Sequence, residues 1–198
     1  ETIYPKKLPK KKHVWIFILA GQSNMAGRGI VEPQDTVPNP RILTINSNNE
    51  IIVAKEPLHF YEPKLTGLDC GMSFANQLLK NIPRKVTILL VPTAVGGSSS
   101  KQWLDDSVHR DVKLFTNFKH RVDIARQHGV VKGILWHQGE SDTNSQIIPG
   151  YDQRLEKLFS MFRSYCDNPT LPIMVGELGG YSENPIHWNL INEAIHRY

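Results

Sequence analysis

Three polar clusters, each following an apolar run, hold side chains able to do acyl-transfer chemistry: Gly21-Gln22-Ser23-Asn24, Thr93-Ala94-Val95-Gly96-Gly97-Ser98-Ser99-Ser100 and His137-Gln138-Gly139-Glu140-Ser141-Asp142. Ser23 has two readings. It could cap a helix by accepting a bond from a first-turn amide. It could instead be a nucleophile, presented on a sharp turn that Gly21 permits, with helix amides holding an oxyanion. The elbow G-x-S-x-G is not matched, because Met25 stands where the second glycine belongs. Gln138 and Glu140 flank Gly139, so both can face one cavity. A Gln NH2 group can donate to a developing oxyanion, and a carboxylate can orient a histidine. Two acids at a helix start, favoured by the helix dipole, are the plainer account of the same residues.

The surrounding pattern places these clusters at strand ends. Residues 13–20, 85–92, 130–137 and 172–178 are continuous apolar runs rich in β-branched residues, as strands buried on both faces tend to be; 41–46 is a weaker candidate. Helical spacing occupies 73–82, 111–129 and 151–165, where Leu155, Leu158, Phe159 and Phe162 form one apolar face. Alternating strands and helices predict a three-layer α/β/α domain around a mostly parallel sheet. In such a sheet ligands sit beyond the carboxyl ends of the strands, where the three polar clusters converge. Residues 29–70, rich in Pro and Asn, read as an elaborated loop.

Composition narrows the partners. At 198 residues, 40% apolar and 21% charged, the chain fits one globular domain over residues 13–198, preceded by a basic leader at 1–12. Lys6, Lys7, Lys10, Lys11 and Lys12 lie in that leader, which accounts for the net charge of +4 and leaves a neutral body. A proline-punctuated lysine run without interleaved aromatics predicts no nucleic-acid partner. The leader followed by VWIFILAG imitates a secretory signal but lacks a small-residue cleavage site, so a buried first strand is expected. No apolar stretch reaches the roughly 20 residues of a membrane span. Cys70 and Cys166 have no zinc spacing and GGSSSK lacks the phosphate-loop register, so neither metal nor cofactor is expected. Trp103 and Trp136 could stack on a sugar, although buried packing is the commoner fate.

Together the ordered blocks GQSNMAGRG, EPLHFYEPKLTGLDCGMSFANQL, AVGGSSSKQW and ILWHQGESDT resemble the SGNH hydrolase superfamily, with its flavodoxin-like fold. They are most similar to its carbohydrate O-acetylesterase branch, which holds sialate O-acetylesterase-like and acetylxylan esterase-like proteins. The resemblance implies Ser23 as nucleophile, with an oxyanion hole from the amides of Ser23 and Gly71 and the side chain of Gln138. It implies Glu140 as a residue that orients the catalytic histidine, and Gly97 and Ser98 as a loop shaping the pocket. His59, in EPLHF, is expected to line that pocket.

The base is the weak point of the pattern. The family draws it from a D-x-x-H block after one more strand, and the chain ends at LINEAIHRY, so the expectation is a fold lacking its C-terminal strand and helix and a chain nearly inert by itself. Asp106-Ser107-Val108-His109 fits the block's letters but falls between the wrong motifs. His137 should point away from the site, and His187 is the least implausible stand-in. The expected function is removal of O-acetyl groups from an acetylated carbohydrate. The rivals are a non-catalytic carbohydrate-binding protein and a lipid or aryl esterase. Glycan substrates favour a secreted or periplasmic location; neither the sugar nor the oligomeric state is legible.

Overall fold

A computed structural model describes residues 2–180 and 185–198. Strand β1, Val14–Gly21, lies at the centre of a six-stranded sheet. Its side chains divide between two cores: Ile16, Ile18 and Ala20 face one, Phe17 and Leu19 the other. A strand covered on both faces has no polar side, which is why the run reads as unbroken apolar sequence.

The remaining strands of this sheet are β2 (Ile42–Ile45), β3 (Ile51–Val53), β4 (Thr87–Pro92), β7 (Val130–His137) and β8 (Ile173–Val175), in the spatial order β3-β2-β4-β1-β7-β8. All neighbours run parallel except β2 and β3. Since β4 and β7 flank β1 on opposite sides, a crevice opens beyond their carboxyl ends, where this topology places ligands. Helices α1 (Ser23–Ala26) and α2 (Gly71–Leu79) cover one face through Met25, Ala26, Met72 and Ala75. The larger core receives α3 (Ser100–Leu104), α4 (Leu114–His128), α5 (Tyr151–Tyr165) and α6 (Pro185–Arg197). The expected mostly parallel α/β architecture is therefore present. Trp103 and Trp136 are fully buried in it, edge to face at 5.4 Å, and offer no surface to a sugar.

Three local differences from the sequence reading have physical causes. The 29–70 segment contains the hairpin β2–β3, closed by Asn46, whose Oδ1 accepts from the amides of Asn48 and Glu50. Strand β3 is too short to announce itself by pattern. Residues 108–113 form a second hairpin, β5 (Val108–His109) and β6 (Val112–Lys113), so α4 starts at Leu114 rather than 111. Asp106 fixes that start by accepting from the Thr116 amide at 2.8 Å and its hydroxyl at 2.5 Å. The basic leader is docked rather than a free tail: the Val53 amide donates to Ile3 O at 2.8 Å, and Leu8 packs on the larger core. Among the described residues no helix is long and apolar enough to cross a membrane.

Candidate active site

The turn after β1 is shaped by close contact with β7. Gly21 has φ of +136°, and a Cβ there would lie 2.0 Å from His137 O, so a side chain would break the strand pairing. The next amide, that of Gln22, donates to the same His137 carbonyl at 3.0 Å. Gln22 then turns its side chain inward, where Oε1 accepts from the amides of Ser141 (3.1 Å) and Gly139 (3.4 Å) and from Gln138 Nε2 (3.3 Å). This buried glutamine ties the serine turn to the 138–141 loop. Sequence reasoning passed over it because a glutamine beside a serine carries no catalytic signal of its own.

Ser23 is the first residue of α1 and is half-buried. The cap position belongs to Gln22, and Ser23 caps nothing; among the described residues no hydrogen bond reaches its Oγ. Beside it, Asn24 Nδ2 donates to Glu140 Oε1 at 2.5 Å, while Glu140 Oε2 is buried without a hydrogen-bond partner. Ser23, Asn24 and Glu140 are thus brought together at one strand-end crevice. Gly97 joins them through its loop, since the Val95 amide and Ser98 Oγ both donate to Gly21 O, at 3.2 Å each. Gly97 itself is exposed at φ +78°, and its amide has no partner among the described residues.

Four of the expected site residues have their polar groups engaged within the fold. Gln138 is fully buried, and its NH2 group faces three acceptors: Gln22 Oε1, Ser98 O at 3.2 Å and Asp142 Oδ2. No donor remains for an oxyanion. The Gly71 amide donates to Asp69 Oδ1 at 2.6 Å and is likewise occupied. Ser98 is buried, its hydroxyl bonded to Gly21 O, Val95 O and Trp103 Nε1, so it braces the loop instead of lining a pocket. His59 is also buried, with Nδ1 donating to Asp69 Oδ2 at 2.9 Å, and it faces no solvent.

The histidines sort clearly. His109 donates from Nε2 to Gly96 O at 2.8 Å, while Asp106 serves Thr116; the literal D-x-x-H is not a pair. His137 is half-buried and does not point away from the site as expected. Its Nε2 donates to Glu177 O at 3.1 Å, and its Nδ1, buried without a hydrogen-bond partner, lies 3.9 Å from Glu140 Oε1. His187, in the first turn of α6, donates from Nδ1 to Thr143 O at 3.1 Å. Among the described residues no histidine is hydrogen-bonded to Ser23, and no group of three or more His, Cys, Asp or Glu could hold a metal ion.

Behind the loop lies a fully partnered network. Asp142 accepts from the Ser100 amide (2.9 Å), Ser100 Oγ (2.6 Å) and Gln138 Nε2, with Arg154 Nη2 at 3.5 Å. The Tyr151 hydroxyl donates to Gln138 O at 2.8 Å; burial, then the charges of Asp142 and Glu140, raise its pKa above the usual phenol range, so it stays a donor.

A parallel sheet opening at its central strand, with an unpartnered serine at the strand-to-helix turn and a half-partnered carboxylate beside it, has the architecture of an α/β esterase. The chain belongs to the family described as carbohydrate esterase, sialic acid-specific acetylesterase, whose model matches residues 13–198. It lies in the SGNH-type carbohydrate esterase branch. It is 33% identical over 188 residues to the probable carbohydrate esterase At4g34215 of Arabidopsis thaliana, covering 84% of this chain and 70% of that one. The solved structure of the Arabidopsis protein superposes with a TM-score of 0.78 at 31% identity, over 91% of this chain and 79% of the other. NanS (TM-score 0.72, 20% identity, 96% and 76% covered) shares the fold. So does XAC1771, a carbohydrate acetylesterase from Xanthomonas citri (0.66, 18%, 93% and 47%).

Proposed function

We propose that this chain carries a carbohydrate O-acetylesterase site with Ser23 as its nucleophile. Ser23 Oγ attacks the acetyl carbonyl, the sugar hydroxyl leaves with a proton, and water then releases acetate from the acetyl-serine. The observation that carries the reading is the unpartnered Ser23 hydroxyl beside a carboxylate with one free oxygen. In a buried loop where neighbouring polar groups are matched, unmatched ones mark places where a substrate or a catalytic partner belongs.

The oxyanion is held by the amides of Ser23 and Gly97. Both stand at the strand ends beside Gly21, and neither amide has a partner among the described residues. Gly97 replaces Gly71 in this role, and Gln138 becomes a positioning residue that fixes the loop carrying Glu140. The proton of Ser23 passes to an imidazole oriented by Glu140 Oε2, in the manner of other serine hydrolases.

Acetate release from acetylated xylo-oligosaccharides and from O-acetylated sialic acid tests the proposal. Release that Ser23→Ala abolishes supports it. Saturable sugar binding without release, or release that survives Ser23→Ala, favours the non-catalytic binder or another nucleophile.

A further inference from the structure

A cationic cluster stands on the Gly97 side of the serine turn, outside the groups assigned to the reaction. Glu62 has a side chain only 5% exposed and is engaged by two guanidinium groups. Arg28, two residues after α1, reaches both its oxygens from Nη2 at 3.0 and 2.9 Å; Arg110 donates to Oε1; the Gly96 amide donates to Oε2 at 2.6 Å. Burial by itself would raise the carboxyl's pKa, but these donors hold it below the usual range, so it is ionised. Two cations on one anion leave one positive charge in excess.

The excess lies on Arg110. Arg28 is largely covered and already makes both contacts to Glu62, whereas the Arg110 side chain is 45% exposed. Asp111, beside it, makes no ion pair among the described residues, and Asp106 serves Thr116 and Lys113. The hairpin β5–β6 carries this guanidinium at its tip. Arg110 and Asp111 form its two-residue turn with φ of +48° and +62°, a conformation usually left to Asn and Gly. His109 locks the hairpin down by donating to Gly96 O. A Cβ placed on Gly97 would lie 3.4 Å from His109 Nε2 and 3.5 Å from Arg110 Nη2, so the hairpin tip overhangs Gly97 at contact distance. A Cβ on Gly96 would stand 2.2 Å from Arg28 Nη2 and 2.5 Å from Glu62 Oε2, so a side chain there would displace that ion pair.

We propose that Arg110, held over Gly97 by the β5–β6 hairpin and shared with buried Glu62, forms an anion subsite beside Ser23 that selects acetylated sugars bearing a carboxylate. The inference rests on the esterase reading of Ser23 for its reaction, but not for its binding. A planar guanidinium with one edge already fixed loses little freedom on engaging a second carboxylate, and its fork matches that group's geometry. Neutral acetylated sugars forgo this contact. The carboxylate could belong to a sialic acid or to a uronic acid, and the chemistry at Arg110 is the same for both.

Binding to the Ser23→Ala protein, read by calorimetry, separates recognition from reaction. The probes are 9-O-acetyl-N-acetylneuraminic acid and O-acetylated methyl galacturonoside, each paired with its carboxyl methyl ester. For at least one sugar, the acid should bind about tenfold more tightly than its ester. That ratio should shrink as salt is raised. Adding Arg110→Gln should bring it near one while ester affinity stays within about twofold; Arg110→Lys should keep part of it. Equal affinity for acid and ester in both sugars overturns the subsite without needing the Arg110 variants to fold, and so does a preference that survives Arg110→Gln. If acid preference appears while the wild-type chain releases no acetate, the esterase reading fails and the subsite stands. Acetate release with no acid preference gives the reverse.

Discussion

Glu140 and Asp142 lie two residues apart in one turn and carry the same functional group under opposite conditions. Asp142 is completely buried and takes three hydrogen bonds and an ion pair. Glu140 takes one hydrogen bond, from Asn24, and keeps Oε2 bare. A saturated buried carboxylate is a tie rod: it joins α3, α5 and β7, and any change leaves donors stranded. An unsaturated one at a crevice has capacity left for chemistry. The contrast sets a saturated carboxylate beside an unsaturated one within a single five-letter stretch.

Ser23→Ala gives the largest effect, a loss of acetate release by about 10⁴-fold with an unchanged melting temperature, since its hydroxyl bonds nothing in the resting fold. Asp142→Ala should cost about 3–5 kcal/mol in urea unfolding, because Ser100, Gln138 and Arg154 lose a shared acceptor in the interior. If it proves as mild as a surface change, the tie-rod account is wrong. Glu140→Gln should invert that profile: activity down about 100-fold, stability within about 0.5 kcal/mol. A variant as unstable as Asp142→Ala would erase the distinction between the two carboxylates.

The smallest predicted effect concerns a third carboxylate, Glu56, which is buried with neither oxygen hydrogen-bonded. Burial, reinforced by the charge of Asp69, raises its pKa from 4.5 to about 8. The folded state therefore keeps a proton that the unfolded chain releases, and stability falls as pH rises between those values. Glu56→Gln lacks this titration. Its melting temperature should match wild type near pH 5 and rise progressively above it as the pH is taken to 8. A constant difference across that window would show that Glu56 is ionised in the fold.

Much of the frame was legible because its causes are local and periodic. Buried parallel strands write continuous apolar runs, and the three polar clusters at their ends are where the crevice lies. Ser23 and Glu140 were singled out by residue type and spacing, and the Asn24–Glu140 hydrogen bond ties their two turns together. For Gly71, Gln138, Ser98 and His59, sequence shows that a group can donate but not that a buried neighbour engages it: Asp69 holds Gly71 and His59, while Asp142 and Ser98 O hold Gln138. Arg110 escaped notice for a related reason. Its turn has none of the Asn-Gly chemistry that marks a hairpin, and its partner Glu62 lies in a segment that reads as an elaborated loop.

Central position in the sheet also sets a schedule. β1 and its serine turn leave the ribosome before the strands that flank them, β4 and β7, which arrive much later in the chain. Gln22 has nothing to hold until residues 138–141 emerge. Chain synthesis proceeds from the N-terminus, and contacts this distant in sequence close late. Ser23 is therefore synthesised before the groups that aim it, and its turn is not fixed until β7 has docked.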